Sequence, residues 1–196
     1  MKQSEQERIN EIRLFNIVDM GLTFSAMIRL YQTGSKKTLR HKLIKILHDI
    51  RGVHSVNDFR TIHDSFCIWG KKNLFLAERE RRGILIKRSG PPSYGQVAKT
   101  LDVVLKVVVY YSGWPNESTA NVLVKYINAA VDTKMMKLLR SRYPRHFQDW
   151  PVTVENVTKQ TYTSLQELVK KFIDEEHDGQ IMPVQFDDLY WNYLNR

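Results

Sequence analysis

The sequence predicts an all-α fold, a helical bundle, and three observations predict it. Apolar residues recur at three- and four-residue spacing along most of the chain, the period of an amphipathic helix. Proline and glycine cluster strongly at one place, Arg88-Ser89-Gly90-Pro91-Pro92-Ser93-Tyr94-Gly95, which cannot continue a helix. Ile84-Leu85-Ile86 is the brief, partly β-branched run that reads as a strand. A hydrophobic content of 42% over 196 residues supplies a core for one domain spanning 1–196. The break also permits two helical lobes, 1–88 and 95–196, with a cleft between them.

Each element has its own signal. Ser4 caps a helix to about Tyr31, with Ile9, Ile12, Phe15, Ile17, Leu22 and Ile28 recurring along it and Gly21 weakening or dividing it. Lys36 to Ile50 buries Leu39, Leu43, Ile46, Leu47 and Ile50, and Gly52 stops it. Ser55 opens a third helix that Gly70 ends, and Asn73 to Arg82 reads as a fourth. Gly83 to Lys87 reads as a short strand. After the break a long helix runs from about Gly95 to Ser112, ended by Gly113-Trp114-Pro115. Asn116 to Asn128 is helical, with Asn116 or Ser118 as its cap. Asp132 caps Thr133 to Arg142, which Pro144 stops. Pro151 to Thr158 reads as a loop, Thr163 to Glu176 as a helix, and Phe186 to Leu194 as a terminal helix.

Thirty Lys and Arg against 21 Asp and Glu give a net charge of +9, with a pI near 9.6. Such an excess points to a polyanionic partner, nucleic acid first. The one cysteine, Cys67, makes an internal disulfide impossible and fits a reducing, cytoplasmic setting. Its apolar neighbours predict a buried, inert thiol. The amino terminus is polar, with no signal-peptide pattern, and no run approaches a membrane span. His41, His48, His54 and His63 accompany Asp49, Asp58 and Asp64 without metal-ligand spacing, so neither a metal nor another cofactor is expected.

The chemistry concentrates between Gln96 and Met136. Lys99, Asp102, Val103, Lys106 and Tyr110 share one stripe of a helix that is apolar around the rest of its circumference, which predicts a central position. A lysine desolvated on such a helix gains the neutral amine that nucleophilic attack requires. The plainer alternative is that Asp102 pairs with Lys99 and Lys106 on a solvated face.

Lys99-Thr100, a second lysine seven positions on at Lys106, and Val131-Asp132-Thr133 at a helix start 33 residues after Lys99 together resemble the helix-hairpin-helix DNA glycosylase superfamily. Within it, Lys99-Thr100 through Lys106 is most similar to the archaeal 8-oxoguanine glycosylases, whose hairpin is degenerate. The usual Leu-Pro-Gly-Val-Gly-x-Lys hairpin is replaced here by Pro92-Ser93-Tyr94-Gly95-Gln96-Val97-Ala98-Lys99. Lys134 stands where His or Arg follows Asp-Thr, and no cysteine cluster marks an iron–sulfur loop. The resemblance implies Lys99 and Asp132 as the catalytic pair. Lys99 would attack the sugar C1′ of an extruded nucleotide, and Asp132 would stabilise the positive charge on the sugar or help deprotonate the amine. A Schiff base could then permit strand cleavage. The implied substrate is double-stranded DNA carrying 8-oxoguanine or another modified base, including a hypermodified phage base, in repair or phage defence.

Gln96, Lys106, Lys134, Lys137 and Arg140 are the expected DNA contacts, with Lys87, Arg88, Arg142 and Arg145 nearby. Arg79, Arg81 and Arg82, and Lys36, Lys37, Arg40 and Lys42, form two further basic runs. Gly90, Gly95 and Gly113 allow close backbone approach, and Tyr94, Trp69 and Trp114 are aromatics that can stack on a base. Two other readings compete. One is a non-catalytic helical DNA- or RNA-binding protein whose lysines only touch phosphates. The other is an RNase-like toxin using His146, six residues after Arg140. That spacing is loosely similar to the Arg-x-x-x-x-His region of the higher-eukaryote-and-prokaryote nucleotide-binding ribonucleases, although Pro144 interrupts it.

Overall fold

A computed structural model describes residues 4–82 and 84–194, with the side chains of Arg81, Lys87 and residues 191–194 excepted. The polar start at 1–3, the predicted strand's first residue Gly83, and the last two residues of the carboxyl-terminal segment lie outside the described residues. The fold is all-α, with eight α-helices and one two-stranded ribbon among the described residues.

Helix α1 (Glu5–Phe24) opens on a capping box. The Glu7 amide donates to Ser4 Oγ at 3.2 Å, and the Ser4 amide donates to Glu7 Oε2 at 2.8 Å. The helix ends at Phe24, short of the predicted Tyr31, and a 3₁₀ turn, Ala26–Leu30, follows. The break is at Ser25, not Gly21. Gly21 lies inside α1 at a close crossing, where a Cβ would sit 3.0 Å from the Cα of Val104. Helix α2 (Ser35–Ile50) starts after Gly34, whose φ of +91° suits glycine.

Helix α3 (Val56–Asn73) is capped by Ser55 and runs through Gly70, its expected end. Gly70 also marks a close crossing, since a Cβ there would collide with the Val97 side chain. The helix predicted over Asn73 to Arg82 does not form. Leu74 turns extended, and its neighbours find partners across the chain: Gln32 N donates to Phe75 O, Leu76 N to Gly90 O, and Ala77 N to Leu30 O. Leu74 and Leu76 are buried while Phe75 between them is exposed, a period of two that a helix could not satisfy. Strand β1 (Arg79–Arg81) then pairs antiparallel with β2 (Ile84–Lys87), which occupies the predicted strand.

Helix α4 (Tyr94–Leu105) is the axis of the molecule. Ser93 and Gln96 form its capping box, and it packs on α1, α3 and helix α7 (Lys159–His177). Buried side chains from both sides of residues 88–94 therefore belong to one continuous hydrophobic core. The predicted helix to Ser112 continues from α4 not as α-helix but as a wider π turn, Lys106–Tyr111. Helix α5 (Glu117–Leu123) is capped by Asn116 and is shorter than predicted, and α6 (Thr133–Arg142) is capped by Asp132 as predicted. A 3₁₀ turn, Val154–Asn156, interrupts the predicted loop. Helix α7 begins at Lys159 with Thr158 as its cap, a turn before the predicted Thr163, whose hydroxyl instead donates to the Lys159 carbonyl. Helix α8 (Pro183–Leu194) ends the fold. Among the described residues no helix is long and apolar enough to cross a membrane.

The Gly70–Val97 contact yields a signed prediction. Helix propensity alone would make Gly70→Ala stabilising by about 1 kcal/mol. Forcing a methyl into a stiff valine costs about 1–3 kcal/mol, so the net change is destabilising. Urea unfolding checks this, and the same substitution in a Val97→Ala background is expected to cost less.

Candidate active site

Between Tyr94 and Val109 only Lys99 and Val103 escape full burial. Both open onto one cleft of about 520 Å³, whose walls also include Phe24, Asp132, Met135 and Phe186. Lys99 Nζ lies 3.8 Å from Asp132 Oδ2, with side chains 15% and 20% exposed. The two oxygens of Asp132 divide their work. Oδ1 accepts the Met135 amide at 2.8 Å and caps α6, while Oδ2 faces the lysine. The capping bond fixes where the second oxygen points. The structure thus brings together the two residues that the sequence singled out, on an enclosed helix and a helix start.

Lys106 lines the same cleft but is held by carboxylates. Its Nζ lies 2.7 Å from Asp188 Oδ1 and 3.6 Å from Asp187 Oδ2, both on α8. The π turn sets its other neighbour. An α-helix would place Tyr110 beside it, four residues on, but the wider turn brings Tyr111, five residues on. Lys106 Nζ sits 5.5 Å from the Tyr111 ring centroid, and the Tyr111 hydroxyl donates to Asp188 Oδ1 at 2.5 Å. The predicted stripe is corrected accordingly: Lys99, Val103, Lys106, Val107 and Tyr111 face the cleft, and Tyr110 does not. Burial pushes Asp187 up to about 6, against the pull of Lys106, and the nearby charge of Asp132 adds to the rise. Sequence reasoning missed Asp187, Asp188 and Tyr111. The adjacent aspartates in a terminal helix without other charged residues were the available signal.

Asp102 also leaves the predicted stripe, and it does not pair with Lys99 or Lys106 on a solvated face. It is fully buried on the opposite side of α4. His63 Nε2 lies 3.0 Å from Asp102 Oδ1, and the Tyr162 hydroxyl donates to Oδ2 at 2.7 Å. The ring of Tyr162 stacks on His63 at 5.2 Å, and the buried thiol of Cys67 lies 3.7 Å from His63 Nδ1. Around this network the Tyr94 hydroxyl donates to Asp64, which also pairs with Lys159 at 2.6 Å. Burial raises Asp102, against the pull of His63 and Tyr162. Burial lowers His63, but the Cys67 thiol and the Asp102 carboxylate lift it further, to about 10.

The expected DNA contacts fall into two groups. Lys137 and Arg140 are exposed on α6, and Lys134 lines the cleft mouth. Gln96 is buried, its Oε1 accepting the Ser93 amide at 2.8 Å, so its side chain serves the cap rather than a groove. Gly95 likewise approaches Val154 and Val157, not an open surface. Of the basic run on α2, Lys36 and Arg40 pair with Asp19 and pin α2 to α1. The side chains of Arg81 and Lys87 lie outside the described residues. Tyr94, Trp69 and Trp114 are not cleft residues; the aromatic walls are Phe24, Tyr111, Phe186 and Tyr190. His146 is exposed in a turn after α6, edge-on to Phe147.

A more voluminous groove, about 1280 Å³, runs past His48, Arg51 and Trp114 and touches the cleft only at Tyr111. It holds mixed charges but no amine–carboxylate pair, so chemistry rather than volume favours the smaller cleft. Among the described residues no three His, Cys, Asp or Glu side chains converge as metal ligands.

The raised His63 carries a pH signature. A histidine held above its ordinary 6.5 contributes its stabilisation fully below that value and loses it as pH rises toward about 10. The unfolding free energy is expected to fall between those pH values, and Asp102→Asn should flatten that fall by removing the buried charge. Asp102→Ala, which strands His63, is expected to cost about 3–5 kcal/mol in urea unfolding.

Compared with protein families, curated proteins and solved structures, the chain matches none.

Proposed function

We propose that this protein is a DNA glycosylase that excises a damaged or modified base. The observation that carries the reading is the Lys99–Asp132 pair, 3.8 Å apart and opening onto one largely apolar cleft. A cleft of about 520 Å³ is within the usual range for small-molecule sites, and its aromatic walls suit a flat base. The +9 charge supports a polyanionic substrate, as do the exposed cations of α6 beside the cleft.

The chemistry follows from the pair. Asp132 Oδ2 takes a proton from the Lys99 ammonium. The neutral amine bonds to the sugar C1′ as the C1′–N bond to the base breaks, and the bond electrons leave with the base, which gains a proton. A proton passes from the bound nitrogen to the ring oxygen as the C1′–O4′ bond breaks and the nitrogen lone pair forms C1′=N, which gives a protonated Schiff base from which elimination would cut the strand. Asp132 passes the proton it took to the departing base, and its restored carboxylate then steadies the positive charge of the protonated Schiff base. Similarity to the archaeal enzymes favours 8-oxoguanine as the base, with a hypermodified phage base as the other candidate.

Borohydride trapping on lesion-bearing duplexes tests this. A covalent adduct is expected with the native protein and none with Lys99→Ala. Asp132→Asn separates the two duties of that residue. Asparagine caps a helix as well as aspartate does, so the melting temperature should hold. Loss of proton transfer should slow excision by about 10²–10⁴-fold. Salt-dependent duplex binding with no adduct on any lesion would favour the non-catalytic binding reading instead.

A further inference from the structure

The ribbon β1–β2 is the part of the molecule that the cleft does not absorb. Ile84 and Ile86 lie two residues apart on one face of β2 and are 71% and 63% exposed, with Leu85 also exposed on the other face. A two-stranded ribbon alone is marginally stable in water, and among the described residues neither strand packs extensively on a helix. Its base is nonetheless tightly held. Leu76 bridges both Tyr31 and Gly90, and Gln32 Nε2 donates to Ser89 Oγ at 2.8 Å. The arrangement is therefore an anchored arm presenting apolar side chains to a partner.

Charge and position say which partner. From Glu78 to Arg88 the arm carries five cations, Arg79, Arg81, Arg82, Lys87 and Arg88, against Glu78 and Glu80. Arg82 occupies the turn with φ at +53°, a backbone region usually left to Gly or Asn. The arm's root is tied to the cleft through neighbouring residues. Its anchor Tyr31 bonds Thr100, the residue after Lys99, at 3.2 Å. The 3₁₀ turn whose Leu30 carbonyl accepts the Ala77 amide contributes Ala26 to the cleft lining. An arm tied through its root to a base-sized cleft, cationic in sequence and aliphatic on one face of β2, matches a duplex whose stack must be opened.

We infer that the β1–β2 arm is a wedge, which enters the duplex beside the extruded nucleotide and places Ile84 and Ile86 in the vacated stack, while its arginines hold the flanking phosphates. The inference rests on the glycosylase reading and adds to it the element that opens the substrate.

The test uses the full chain and a duplex containing a tetrahydrofuran abasic analogue with 2-aminopurine opposite, so that the identity of the lesion does not matter. Binding of the native protein is expected to raise 2-aminopurine fluorescence several-fold. Ile84→Ser/Ile86→Ser, both at exposed positions, should bind within about threefold of native affinity yet lose most of that rise. Ile84→Phe, a larger wedge, should keep it. No rise with the native protein, or an undiminished rise with the double serine variant, overturns the inference. So does a double variant that loses binding to phosphatidylserine vesicles while its effect on the duplex is unchanged. Unstacking that depends on Ile84 and Ile86 without any borohydride adduct would retain the wedge and sink the glycosylase reading. A normal adduct with unchanged unstacking in the double variant would do the reverse.

Discussion

The enclosure of α4 is the constraint on which the rest of the structure depends. Helices from both halves of the chain surround it, and its one opening exposes Lys99 and Val103. A helix so enclosed has to be fixed in rotation, because a turn of a few tens of degrees would bury the lysine. The Asp102 network supplies that fixing. His63 from α3 and Tyr162 from α7 grip Asp102 from behind, and Asp102 lies three residues from Lys99 on the same helix. Buried hydrogen bonds are directional in a way that apolar packing is not, and leaving one unpaired costs about 1–3 kcal/mol. The network thus selects the one rotation that presents the amine to the cleft.

The π turn extends this control by one step. Had α4 continued as an α-helix, Tyr110 would have faced the cleft below Lys106. The extra residue turns Tyr110 toward the neighbouring groove and brings Tyr111 under the lysine, where it also meets Asp188. Lys106 is thereby committed to α8. Of the two lysines seven residues apart, one is engaged by two carboxylates and an aromatic ring, and the other has a single carboxylate facing it across the cleft.

How far the sequence disclosed this depended on the range of the interactions. Caps are local, so Ser4, Ser55, Asn116 and Asp132 could be read directly, and so could the apolar faces of α2 and α4. Gly21 and Gly70 misled because a glycine that ends a helix and one that admits a crossing helix look alike until the partner, Val104 or Val97, is placed. The segment after Asn73 has helix-forming composition. What overrode it was non-local pairing with Leu30, Gln32 and Gly90. At the site, the spacing of Lys99 and Asp132 survived because each belongs to a well-signalled element. Asp102 was misassigned because regular 3.6-residue periodicity places it near Lys99 and carries no information about His63 or Tyr162. Tyr111 was missed because no rule of α-helical period anticipates a π turn.

The placement of the exposed arm follows from the same enclosure. A residue that must hold its geometry to a fraction of an ångström belongs on a braced element, and Lys99 and Asp132 stand on one helix sealed by its neighbours and on one capped helix start. A residue that must enter another molecule cannot be braced in that way. It needs reach, and a surface left unpacked in the free protein. Ile84 and Ile86 meet that second requirement on an arm whose root, through Tyr31 and Thr100, is tied to the braced helix. On the proposed reading, the opening of a duplex and the chemistry on the opened nucleotide would share one mechanical frame.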